Sequence, residues 1–129
     1  MSYLNAGGNV IIGSRYGSRV LAGDLEDYAH IDSWDQVEIS IPGLTAVAGG
    51  LQDQPGAGIS LTDLPVMPTH EEVTLLYTVA GFPLAAGGIL VEPESGGKLA
   101  YIAGRPYRYD LDISAANYDY MLTTYFGED

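Results

Sequence analysis

The side chains best suited to proton transfer or metal ligation in this chain are two histidines, His30 and His70, set among seventeen Asp and Glu residues and no cysteine. A Ser-His-Asp arrangement is spatial and leaves little trace in sequence. However, no Gly-x-Ser-x-Gly elbow occurs, and neither histidine sits in a recognisable motif. Both therefore read as polar residues at strand edges, and no enzymatic activity is expected. Zinc spacing is absent too, since there are no thiolates and the histidines lie forty residues apart. Hard oxygen donors do cluster. Asp24, Asp27 and Asp32, flanked by Glu26 and Asp35, are candidate ligands for Ca²⁺, although the EF-hand order Asp-x-Asp-x-Asp-Gly is missing. A carboxylate run of this kind reads first as a solvated face. The glycine pairs at Gly13–Gly17 and Gly49-Gly50 lack the lysine and the strand–loop–helix setting of a phosphate cradle. No metal and no cofactor is expected.

Charge narrows the partners. Seventeen acids against five bases give a net charge of −12, and between Arg19 and Lys98 there is no Lys or Arg at all. Nucleic acid requires clustered cations against phosphate, so it is excluded as a partner. An anionic membrane surface is disfavoured for the same reason. No apolar run is long enough for a membrane span, and the first residues carry no basic and apolar leader, so residence in a cytoplasm is expected.

The elements that would position such groups are strands. With 129 residues and 47% hydrophobic content the chain can bury a core, and 17 Gly with 7 Pro suit short strands and tight turns better than long helices. Residues 1–9 read as an extended arm anchored by Tyr3 and Leu4, and residues 10–129 as one β domain. Val10–Ile12 and Arg19–Ala22 flank a Gly-Ser-Arg repeat as a hairpin. For 24–35 a short helix, capped by Asp24, and a strand are equally supported. Gln36–Ile41 alternates cleanly and should end at Pro42-Gly43. The stretch 43–69 reads as a long irregular segment with at most a strand at Gly58–Leu61. His70–Ala80 is apolar on both faces, as in a central strand. Ile89–Val91 and Lys98–Ala103 form a second hairpin. Tyr101–Phe126 holds six of the ten tyrosines in two alternating runs, read as two strands that close the core. The sum is an all-β fold, a β-sandwich or small barrel of about seven to nine short antiparallel strands.

The arm, the basic loop and the wet face of the tyrosine-rich segment supply the candidate contacts with a protein partner: Tyr3, Leu4, Arg15, Tyr16, Arg19, Arg105, Tyr107 and Arg108. Tyr and Arg are favoured at interface centres. A carbohydrate-binding or adhesin-like β-sandwich could use the same tyrosines. As a whole, this short, cysteine-free, acidic, Gly/Ala-rich β chain with a glycine-containing arm resembles the small structural proteins of tailed-phage virions, decoration or cement proteins above all. The resemblance implies a homo-oligomer, a trimer in the first instance, bound to the major capsid protein or another virion protein. It also implies a place on the capsid exterior after assembly in a host cytoplasm. Neck and tail proteins share the same character.

Overall fold

The computed structural model describes residues 2–14, 21, 23–31, 33–66, 68–79, 82–94, 96–103 and 111–127. They form a mostly β fold built on one mixed six-stranded sheet, β1 (Val10–Ser14), β2 (Trp34–Ala46), β3 (Gln54–Pro65), β4 (Val73–Val79), β5 (Phe82–Val91) and β6 (Leu99–Ala103). The strands lie in the order β1-β6-β5-β4-β2-β3. The terminal strands β1 and β3 are not paired to each other. Among the described residues there are six strands, with neither a second sheet nor a closed barrel, and parts of the strands expected at 19–22 and 107–113 lie outside them.

The centre follows from apolar patterning. In β6 all five residues are buried, and in β4 the neighbours Leu76 and Tyr77 are both fully buried. A strand buried on both faces cannot alternate, and it needs cover above and below. β5 and β6 form the expected hairpin, Val91 opposite Leu99 and Gly88 opposite Ile102. β4 and β5 are antiparallel with three register irregularities, the last of which lets residues 83–85 loop out between the pairs Val79–Phe82 and Thr78–Ala86. β5 thus begins at Phe82, and beyond the looped-out residues Gly87 and Gly88 lie so close to Val79 and Tyr77 that a side chain at either would clash. Of the 19–22 half of the expected hairpin only Leu21 lies within the described residues. β1 runs parallel to β6, Val10 opposite Leu99 and Ser14 opposite Ala103.

The segment 43–69 is also more regular than its glycines and prolines suggest. β2 crosses Pro42-Gly43 with a register shift, and β3 pairs along it from Trp34–Pro65 to Leu44–Gln54. Only Leu44–Ala46 of β2 pairs with β4, so the two long strands form a ribbon held to the sheet at one end. An isolated bridge, Val66 to Ala85, brings the far end of β3 back to the looped-out part of β5.

Two expectations are corrected by helices. The first turn, α1 (Ser2–Asn5), is helical rather than an extended arm, and Leu4 is 3% exposed within the core. Gly97 N–H donates to the Leu4 carbonyl (2.6 Å), and Lys98 N–H donates to Asn9 Oδ1 (2.9 Å). A side chain at Gly97 would run into the Gly8 carbonyl, so only glycine allows this approach. The second correction is α3 (Leu111–Tyr120), which continues into a π-helical turn at Met121–Tyr125. The period of two at Tyr118, Tyr120, Leu122 and Thr124 coexists with a helical spacing, Ser114, Asn117 and Met121, and it is this second set that is buried. Ala115-Ala116 adds helix propensity at the decisive point. Asn117 is 1% exposed. Its side chain accepts from Gln52 N–H (2.8 Å) and donates to Gln52 C=O (3.0 Å), pinning the β2–β3 loop. Lys98 Nζ donates to the Tyr125 carbonyl (2.5 Å), where a cation complements the negative end of a helix.

Candidate functional site

The described residues bring the two histidines into contact. The imidazoles of His30 and His70 stack with centroids 3.6 Å apart and planes within 4°. His30 Nε2 lies 2.9 Å from Glu72 Oε1, and Glu72 N–H donates to His70 Nδ1 (3.1 Å). Donor atoms from His30, His70 and Glu72 all lie within 4.8 Å of one another. Beside them is a cleft of about 350 Å³ lined by Glu26, Asp27, His30, Ile31, Thr69 and His70.

Local structure explains why His30 is there. α2 (Asp24–Tyr28) starts after Gly23, whose carbonyl accepts from Glu26 and Asp27 N–H (3.1 and 3.3 Å). Asp24 is thus the first helical residue and not the cap. Asp24, Glu26 and Asp27 occupy the first turn, where negative charge suits the helix N-terminus. At the other end His30 N–H donates to Asp27 C=O and Ile31 N–H to Glu26 C=O (both 3.1 Å). This 5→2 and 6→1 pair is a Schellman termination, and its hinge residue is normally a left-handed glycine. Here it is His30, at φ 56°, the one non-glycine with positive φ among the described residues. Ala29 and Ile31 on either side are buried, which leaves His30 projecting between them. His70 and Glu72 precede β4 in a turn closed by Val73 N–H on the His70 carbonyl (3.1 Å). Two residues apart, they can both face His30.

The electrostatics centre on Glu72. The hydrogen bond from His30 holds its carboxyl below the usual range, helped by a backbone N–H from Glu94 and by the charges of His30 and His70. Tyr28 is pushed up, by burial first and by the Glu72 charge second. Its hydroxyl donates to the Gly97 carbonyl (2.6 Å), tying α2 to the β5–β6 turn. Glu26 is engaged by the Trp34 indole N–H (3.0 Å).

Of the residues singled out from sequence, Tyr3 is 65% exposed, its ring lying over Gly8 where no side chain would fit. Leu4 is a core residue, unavailable to a partner. Asp24 and Asp27 are exposed, and Asp27 reaches the rim of the cleft. Arg15, Tyr16, Arg19, Asp32, Arg105, Tyr107 and Arg108 lie outside the described residues. Tyr125 is half-buried and meets Tyr120 edge-on, centroids 5.5 Å apart. The forty-residue separation that counted against joint ligation by the histidines is spanned by the ribbon. The traces available in sequence were His70-x-Glu72 and a histidine where a helix would ordinarily stop on glycine. The chain matches no protein-family model and no curated protein.

Proposed function

We propose that this chain is a non-enzymatic structural protein of a phage virion, of the decoration or cement kind. In this reading it binds the outside of the head, as a homo-oligomer, trimeric in the first instance, seated on the major capsid protein. The observation that carries it is the outer edge of β3. This strand runs twelve residues at the margin of the sheet, and only Val66 just beyond it forms a further bridge among the described residues. Exposed edges are ordinarily blunted by Lys, Pro, inward charges, bulges or very short strands. β3 has Pro55, a register irregularity between Pro55 and Ile59, and Asp63, but Ile59–Leu61 between them pairs regularly with β2 and carries no charge and no proline. A ribbon with such an edge, whose strand pairing to the sheet is limited to three residue pairs with β4 and the Val66–Ala85 bridge, gains from a neighbour that adds a strand or covers it. Exposed Val47 and Val66, at the loop and the far end of that ribbon, add apolar contact area. The net charge of −12 suits a protein kept away from packaged DNA. A neck or tail location would use the same edge.

The test is light scattering of the purified chain together with co-sedimentation on purified heads. Wild type is expected to be oligomeric and to pellet with heads. Ser60→Lys, which places a charge on the edge, is expected to be folded, monomeric and unbound. A monomeric wild type that stays in the supernatant overturns the reading.

A further inference from the structure

We propose that His30, His70 and Glu72 bind one dication of the zinc class, which clips the end of α2 to the turn before β4. Two imidazoles and one carboxylate form the donor set of borderline transition metals; Ca²⁺ and Mg²⁺ take oxygen alone. The three donors already lie within 4.8 Å of one another. Ligands on a tetrahedral zinc stand about 3.4 Å apart, so the widest pair must draw together while His30 Nε2 and Glu72 Oε1, now 2.9 Å apart, part slightly. A ligated metal lies in the plane of each imidazole it binds. The rings are now parallel and 3.6 Å apart, so binding turns them out of the stack. The donors meanwhile satisfy each other, His30 on Glu72 and His70 Nδ1 on the Glu72 N–H. The metal replaces these bonds, and it requires a lone pair on each imidazole, so protons compete with it.

Two further features point the same way. The acidic cleft beside the histidines, with Glu26 and Asp27 on its wall, leaves room for water as a further ligand. In addition, the backbone holds His30 in a left-handed conformation that few non-glycine residues adopt, His, Asn and Asp more readily than the rest. Backbone strain retained at a surface residue marks a side chain wanted at that point. The ion would join α2 to the 70–72 turn, two segments that the sheet does not pair.

The experiment is titration calorimetry of untagged protein with ZnCl₂ at neutral pH and again near pH 5, with thermal melts alongside. Saturable uptake of one Zn²⁺ per chain is expected, weaker at the lower pH, with a rise in Tm that EDTA reverses. His30→Gly removes a ligand while giving the backbone its preferred residue, so it should stay folded and bind at least about tenfold more weakly, as should His70→Ala. CaCl₂ should give no saturable heat at the same concentrations. Absence of one-to-one uptake, or wild-type affinity in both variants, overturns the proposal and assigns any zinc taken up to the general acidic surface.

Discussion

Replacing His30 by glycine and, separately, by alanine isolates the conformational strain at the end of α2. Both variants lose the imidazole, hence the stack on His70 and the hydrogen bond to Glu72, so these losses cancel in the comparison. What differs is the backbone at φ 56°. An L-residue in the left-handed region costs about 1–2 kcal/mol. The greater freedom of glycine in the unfolded chain gives back about 0.4–1 kcal/mol. His30→Gly should therefore be more stable than His30→Ala by about 1 kcal/mol, or roughly 3–5 °C in Tm for a domain of this size. Urea unfolding followed by Trp34 fluorescence measures it, because Trp34 is bonded to Glu26 of the same helix. Equal midpoints, or an alanine variant the more stable of the two, would show that the helix does not end in the Schellman turn and would remove the reason for His30 to project where it does.

Four other perturbations probe the frame around it. Leu4→Ala should cost about 2–4 kcal/mol in denaturant, because Leu4 is a core side chain; a change under about 0.5 kcal/mol would restore the free arm. Asn117→Ala strips both bonds from Gln52 and should cost about 1–3 kcal/mol, with faster amide exchange at Gln52 as the local readout. For pH, Glu72 has a carboxyl depressed in the fold, so its contribution is present above the unfolded value and is lost as pH falls through the folded one. Wild type should lose stability below about pH 4 more steeply than Glu72→Gln. Tyr28, Tyr118 and Tyr125 are raised by burial, so the opposite sign applies. Their contribution is complete below about pH 10 and is lost as pH rises beyond it, and absorbance near 295 nm should show a late-titrating fraction that merges with the rest on unfolding.

The legible parts of the sequence were those in which one period dominates. Val73–Val79 is largely apolar and Leu99–Ala103 wholly buried, both as strands, and β5 and β6 pair as the hairpin that the glycines between them imply. The misread parts carry two periods, or a composition that tertiary contacts override. Residues 111–120 alternate and also repeat at three to four, and burial of Ser114, Asn117 and Met121 selects the helix. The glycines and prolines of 43–69 suggested irregular chain. Yet Gln54–Pro65 is strand because β2 lies beside it along its length, a pairing that local composition does not encode. In sequence Leu4 reads as an anchor to another molecule, because nothing adjacent to it shows that Gly97 leaves room for the first turn to dock.

The candidate site was hidden for a related reason, and that reason bears on how it works. Proximity of His30 to His70 depends on a helix of five residues stopping at one place and turning left-handed there. One residue more of helix would rotate position 30 by about 100° and carry its imidazole away from the 70–72 turn. The position is thus fixed by the termination and not by the helix, and the termination is held by burial of Ala29 and Ile31 on either side. Glycine would end the helix at lower conformational cost but bring no imidazole. Histidine keeps the geometry only with the buried neighbours enforcing it, and it gains a partner in Glu72 and a stacked ring in His70. The same residue therefore sets a backbone feature and offers a donor atom. Variants that separate the two roles, glycine for the backbone and alanine at His70 for the donor set, distinguish a strained turn from a ligand site.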